Sequence, residues 1–127
     1  MAAFEQQVRA VLADEQGQKL IRLAQDRAAI LAKRAKASQL RKLFYEIRGI
    51  EADWAQAPDN PQKALRRLTM LKPKLAYQVA RHDELKPLQQ VLEPAIDQVL
   101  EQPDRFPRLV ELFEAILAYF YAEGGQG

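Results

Sequence analysis

The stretch SQLRKLFYEIRGIEADW, Ser38 to Trp54, decides the fold. Placed at 100° per residue, Leu40, Leu43, Phe44, Ile47, Ile50 and Trp54 fall on one apolar arc, the stripe of a helix that buries one side. Arg41, Tyr45 and Arg48 form a row well away from that arc: basic, aromatic, basic. The same chemistry recurs in LKPKLAYQVAR, Leu71 to Arg81. There Leu68, Leu71, Leu75 and Val79 make the apolar arc, and Lys74, Tyr77 and Arg81 recur on a different one.

Upstream of Ser38 the chain is rich in Ala, Gln, Leu, Arg and Lys, which are strong helix formers. Gly17 is the break, so the pattern reads as helices over residues 4–14 and 16–35. Leu20, Leu23, Ile30 and Leu31 supply few apolar positions against Arg22, Arg27, Lys33, Arg34 and Lys36, which makes this the least firmly packed part. Ser38 stands where an N-cap belongs, at the start of a helix running to Gln56. Residues 57–61, AlaProAspAsnPro, are a turn cluster, with Asn60 as N-cap and Pro61 at the first helical position of the next helix. Pro73 should kink that helix or split it in two. If the halves stay in register, Lys63, Arg67, Lys74, Tyr77 and Arg81 share one side.

Asp83 and its neighbours can cap a helix over residues 84–101, in which Pro87 is early enough to be tolerated and Pro94 should kink. Asp104 is placed to cap the last helix, where Phe106, Leu109, Val110, Phe113, Ile116, Leu117 and Phe120 recur at spacings of three and four. GlyGlyGlnGly reads as a disordered tail. No stretch alternates as a strand does, so the expected class is all-α: a compact bundle of five to six helices. Residues 1–127 read as a single domain, with N-terminal helices over 1–37, a core bundle over 38–122 and the tail over 123–127.

At 127 residues the chain has the length of one domain, large enough to bury a core without staples. It contains no cysteine, which excludes disulfides, a thiolate zinc site and a thiol nucleophile, and suits the cytoplasm. Glu5, Arg9 and Asp14 interrupt the N-terminus where a signal peptide needs an apolar run. No segment approaches a membrane span, so the expectation is a soluble protein without membrane contact. The net charge is only +2, but it is unevenly spread. Residues 38–81 carry nine Lys/Arg against four acids, whereas residues 82–127 carry three against nine. Such a chain can attract a polyanion through its middle and meet a basic protein neighbour through its end.

Catalytic chemistry finds little to build on. His82, the sole histidine, has no second His or Cys for a transition-metal site and reads as a helix-end or surface residue. Glu111 and Glu114 lie one turn apart, as acids on a solvated helix face do. No Ser-His-Asp arrangement or phosphate loop is present. The expectation is a protein that is not an enzyme and has no cofactor, metal or catalytic residue. The basic stripes are the stronger signal, because arginine pairs bidentately with phosphate and an interleaved tyrosine can stack on a base. The plainer alternative is that the cations are ordinary solvated charge and both tyrosines flank the core.

At these stretches the sequence resembles the small subunit of the type III-A CRISPR-Cas effector, the Csm complex. The resemblance rests on Ser38, Gln39, Leu40, Arg41 and Lys42 opening a helix, on LeuLysProLysLeuAlaTyr at Leu71 to Tyr77 with a closing Arg81, and on IleLeuAlaTyrPheTyr at Ile116 to Tyr121 followed by glycines. It covers residues 38–125; nothing before Ser38 takes part. It implies a helical bundle without enzymatic activity, stacked in several copies along a ribonucleoprotein filament with other Csm subunits. It also implies contact with guide RNA and single-stranded target RNA through positive charge. The positions it carries over are Arg41, Lys42, Lys72, Lys74, Tyr77 and Arg81; Arg48, Lys63 and Arg67 join them on the helical-face pattern alone. Recognition of this kind reads backbone and shape while guide pairing reads sequence. Two other classes stay open: a type III-B small subunit, and a helical module that binds protein through the apolar face of its last helix.

Overall fold

A computed structural model describes residues 2–127. It contains six α-helices, α1 (Ala2–Ala13), α2 (Gln18–Leu31), α3 (Ala37–Gln56), α4 (Gln62–Arg81), α5 (Lys86–Glu101) and α6 (Phe106–Ala122). Single 3₁₀ turns at Asp83–Leu85 and Pro103–Arg105 lead into the last two, and there is no strand among the described residues. The all-α class is therefore shown.

α5 is the helix around which the others close. Leu88, Val91, Leu92, Ala95, Ile96 and Val99 are fully buried, and the helix packs against α1, α2, α4 and α6. Its stripe is too wide for one partner, and each fully buried Leu, Ile or Val contributes roughly 1.5–3 kcal/mol. α6 supplies the second layer, with Leu109, Leu112, Phe113, Ile116 and Phe120 buried against α2, α3 and α5. Phe44 of α3 meets Phe113 with ring centroids 5.3 Å apart. Trp54 stacks on Phe106 at 4.7 Å. The last helix thus spends its apolar face inside the bundle, which removes the surface that a protein-binding module of that kind would use.

The N-terminal helices are built into the same core. Leu20, Leu23, Ala24, Ala28 and Leu31 of α2 are buried, and α2 packs closely along α6. The alanines make up for the scarcity of large side chains, because small residues let two helix backbones approach. Ile30, read as a core position, is instead exposed. α1 adds Val8, Val11 and Leu12, and Arg9 donates from Nη1 to Oε1 of Gln98 on α5 at 2.6 Å. Gln98 is the one buried polar side chain among the described residues.

Several helix boundaries differ from the sequence reading. α3 begins at Ala37, and Ser38 is not its cap. The Lys36 N–H donates to Oε1 of Gln39 at 2.8 Å. The N–H groups of Ala37 and Ser38 donate to the carbonyls of Gln126 and Gly127, at 3.0 and 3.2 Å. Through these two bonds the glycine-rich end lies against the start of α3. Gly124, at φ 89°, ends α6 in a Schellman turn, in which the Gly124 N–H meets Tyr121 O at 3.0 Å and the Gly125 N–H meets Phe120 O at 2.9 Å. Gly125 lies on the Phe120 ring so closely that a Cβ would overlap it. Pro73 leaves α4 unbroken and lies on its solvent side. Pro94 is accommodated inside α5. Asp104 makes no capping bond; α6 follows the 3₁₀ turn directly, with Pro107 in its first turn. α4 starts one residue later than read, at Gln62, with Pro61 O accepting from the Leu65 N–H at 2.9 Å.

Because α5 is enclosed by its neighbours, Leu92→Ala should cost about 2–5 kcal/mol of unfolding free energy, whereas Tyr45→Ala on the surface should stay within about 0.5 kcal/mol. Urea denaturation followed by circular dichroism measures both. Equal costs for the two substitutions would contradict the central place of α5.

Candidate nucleic-acid interface

α3 and α4 run antiparallel, joined by the short turn at residues 57–61, so that the start of α3 lies beside the end of α4. Their seam is held by ions. Arg67 donates from Nε to Oε2 of Glu46 at 2.9 Å and from Nη1 to Oδ2 of Asp53 at 3.1 Å. Its guanidinium lies flat over Gly49, where a Cβ would come within 2.8 Å of Nη1. Only a glycine permits that approach. Lys74 Nζ reaches the same Glu46 oxygen at 3.3 Å, and Lys63 Nζ stands 3.8 Å from Oδ1 of Asp53. The hydrogen bond from Arg67, aided by Lys74, holds the Glu46 carboxyl below the usual carboxylate range against a smaller opposing effect of burial.

Eight of the nine residues singled out in the sequence fall on three faces. Lys63, Arg67 and Lys74 belong to the α3–α4 seam, with Lys42 and Tyr77 beside it. Arg41 and Arg48 lean toward α6. Arg41 donates from Nη1 to the Tyr121 hydroxyl at 2.6 Å. Arg48 joins Glu51 and Glu114, each at 2.8 Å, with its guanidinium 5.0 Å from the Phe44 ring centroid. Lys72 turns to the opposite side of α4 and bonds Asp97 of α5 at 2.7 Å. A shared basic side of α4 therefore includes Lys74 but not Lys72.

The charge separation along the sequence is partly cancelled by folding. Acids of the last third meet bases from earlier in the chain: Glu101 with Arg9, Asp83 with Arg34, Asp97 with Lys72 and Glu114 with Arg48. Glu111 lies 3.6 Å from Arg108. The acidic end thus shares part of its charge with these bases while its carboxylates stay largely exposed. His82 is half-buried with Nδ1 3.8 Å from Glu84, and no group of His, Cys, Asp and Glu among the described residues could hold a metal ion.

Among the residues singled out in the sequence, those without a carboxylate partner lie where α3 begins and α4 ends, while elsewhere on the surface Lys19, Arg22, Arg66 and Arg105 also lack one among the described residues. Arg81 makes no ion pair among the described residues; its Nη1 donates to the Tyr77 hydroxyl at 3.2 Å, and its guanidinium lies 5.7 Å from that ring's centroid. Lys42 is exposed and has no acidic partner, and the bond of Arg41 is to a neutral hydroxyl. Tyr45 and Tyr77 are 65% and 57% exposed, so neither flanks the core. Residues that the sequence reading passed over complete the picture: Gly49, which admits Arg67, and Met70, 52% exposed beside Tyr77. The signal for Met70 was its place three residues before Pro73 and seven before Tyr77, on one side of α4.

Among comparisons with known proteins, a family model described as Csm2 Type III-A matches residues 14–126. None of the curated proteins and none of the solved structures matches the chain. The family span begins before α2, so it takes in the region ahead of Ser38 that carried no resemblance on sequence motifs alone.

A carboxylate whose folded pKa is depressed stabilises the fold above its unfolded value, about 4.3 for Glu, and that contribution is lost as pH falls through the lower folded value. The difference in urea midpoint between the parent and Glu46→Gln, with the parent the more stable at pH 7, should therefore shrink as pH is lowered below about 4. A difference that stays constant down to pH 2.5 would mean that the Glu46 carboxylate does not stabilise the seam.

Proposed function

This chain belongs to the Csm2 family, the small subunit of the type III-A Csm effector complex, and from that premise we propose that it binds guide and target RNA through the end of the bundle where α3 begins and α4 ends. The observation that carries the reading is the concentration there of cations without carboxylate partners, Arg41, Lys42 and Arg81, together with the exposed rings of Tyr45 and Tyr77. A cation already bonded to a carboxylate offers phosphate a nearly neutral pair, so Arg48, Arg67 and Lys72 act chiefly within the fold, whereas Lys63, 82% exposed and 3.8 Å from Asp53, stays open to phosphate. Lys74 stands between the two groups, bonded at 3.3 Å yet more than half exposed.

Contacts of this kind read the sugar–phosphate backbone and carry no sequence preference of their own. Guide pairing supplies the sequence, and the protein holds the strand. Assembly with other Csm subunits follows from the family, and stacking of further copies along the filament is part of the proposal. The chain serves there without catalysis: it has no cysteine and one histidine, residues that can grip phosphate but not activate a nucleophile. Target cleavage by the complex belongs to other subunits. The type III-A match favours this reading over a type III-B subunit. No helix is long and apolar enough to cross a membrane among the described residues.

Removing one cation that neutralises a phosphate of a single strand should lower the slope of log K against log salt by about 0.7. Lys42→Ala and Arg81→Ala should each do so on an RNA oligonucleotide, while Lys72→Ala, whose partner is Asp97, should not. Fluorescence anisotropy at several salt concentrations reads the slopes. Slopes unchanged for Lys42→Ala and Arg81→Ala would place the RNA surface elsewhere. In the same preparations, guide and target RNA incubated with the purified protein and Mg²⁺ should stay intact; cleavage that disappears on substituting His82 would overturn the non-catalytic reading.

A further inference from the structure

Between α3 and α4, next to the uncompensated cations, runs a groove with a mostly apolar lining. Its floor is the edge of the core at Leu43 and Leu71, and its rim carries Met70, Pro73 and Tyr77 from one side of α4. Met70, Tyr45 and Tyr77 are three of the six large hydrophobic side chains that are exposed among the described residues, and all three belong to α3 and α4. An apolar rim is out of place on a surface that serves phosphate alone, since phosphates gain nothing from a thioether or a proline ring. Lys42 stands on the α3 wall without an acidic partner among the described residues, Glu46 lines the groove already paired with Arg67 and Lys74, and Arg81 lies beyond the lining with its guanidinium 5.7 Å from the Tyr77 ring centroid.

We propose that this groove is a seat for one unpaired nucleobase, whose ring packs on Tyr77 and Met70 while its flanking phosphates meet Lys42 and Arg81. The inference rests on the RNA-binding reading above and adds to it that the strand must present at least one base free of pairing. A nucleobase is flat, apolar on its faces and tied to an anion, and the groove offers those complements in the same order: an exposed ring, a polarisable thioether, and two cations at the edge. A paired base keeps its faces inside the helical stack and cannot enter. An apolar helix from a protein neighbour would use the same rim, but it would leave Lys42 and Arg81 without counter-charge. The preference for a base follows from those two cations. Because every base has a π-face, the seat tolerates all four.

The test uses the full chain and two fluorescent 12-mers of identical phosphate number, an oligouridylate and its abasic analogue. The parent should bind oligouridylate more tightly than the abasic strand, by roughly 5- to 160-fold, which is the range of one aromatic–base stack. Tyr77→Ala should remove that advantage, and Tyr77→Phe should restore it. Met70→Ala, a second exposed site, should reduce the advantage in the same way. Equal binding of the two strands by the parent would overturn the base seat and leave the backbone reading standing. Failure to bind either strand would remove both. Loss of assembly with other Csm subunits in Tyr77→Ala, with the preference for oligouridylate intact, would assign the groove to a protein neighbour and overturn the proposal.

Discussion

Everything in this fold answers to the need to bury α5. A helix with buried residues on most of its circumference cannot be satisfied by a hairpin partner, so α1, α2, α4 and α6 must each present a stripe to it. That requirement explains why the N-terminal helices, poor in large apolar residues, are nonetheless integral: α1 covers one side of α5 and α2 closes over α5 and α6. It also explains Gln98. A polar side chain in such a helix loses its water on folding, and a buried amide without a partner is costly. Arg9 supplies the bond and is in turn held by Glu101 at 2.7 Å. The docking of α1 is thereby fixed in register as well as in area.

The functional consequence lies in how charge is distributed once the bundle closes. Along the sequence, bases gather in the middle and acids at the end. In three dimensions the acids of α5 and α6 are drawn against the bases of α1, α3 and α4, and two further acids, Glu46 and Asp53, are used up by Arg67 at the α3–α4 seam. Of the cations on α3 and α4 singled out in the sequence, those that survive this internal matching, Arg41, Lys42 and Arg81, lie where α3 begins and α4 ends. A linear count therefore overstates both the basic and the acidic surface, and the residues most available to a polyanion are those whose neighbours happen to be hydroxyls, rings or solvent.

Helix content and the buried faces of α3, α4 and α6 were legible from periodicity, since Leu40, Ile47, Leu68, Leu75, Phe113 and Ile116 recur at helical spacing and all are buried. The packing of α2 was less so, because its stripe is largely alanine and alanine counts equally as a helix former and as a core residue. Caps were misread at Ser38 and Asp104, where local chemistry offered a hydroxyl or a carboxylate but tertiary partners and 3₁₀ turns were used instead. For the candidate interface, face angles grouped Lys63, Arg67, Lys74, Tyr77 and Arg81 on one side of α4. They could not show which of them would meet an acid from another helix, because ion pairing at long sequence separation leaves no periodic mark. Lys72 bonds across to α5 and Arg48 to α6 for that reason.

The first turn of α3 already has its amides engaged, by the carbonyls of Gln126 and Gly127 and by the side chain of Gln39. Helix N-termini elsewhere grasp phosphate with rigid backbone N–H groups that dictate a fixed pose. Here that option is closed at the very end of the bundle where the free cations gather. Any anion at this end must be held by long, rotatable lysine and arginine side chains, which conform to the position of each phosphate and impose none. The resulting grip is indifferent to register. On the proposed reading, these side chains adapt to the phosphates of whichever stretch of strand the subunit meets.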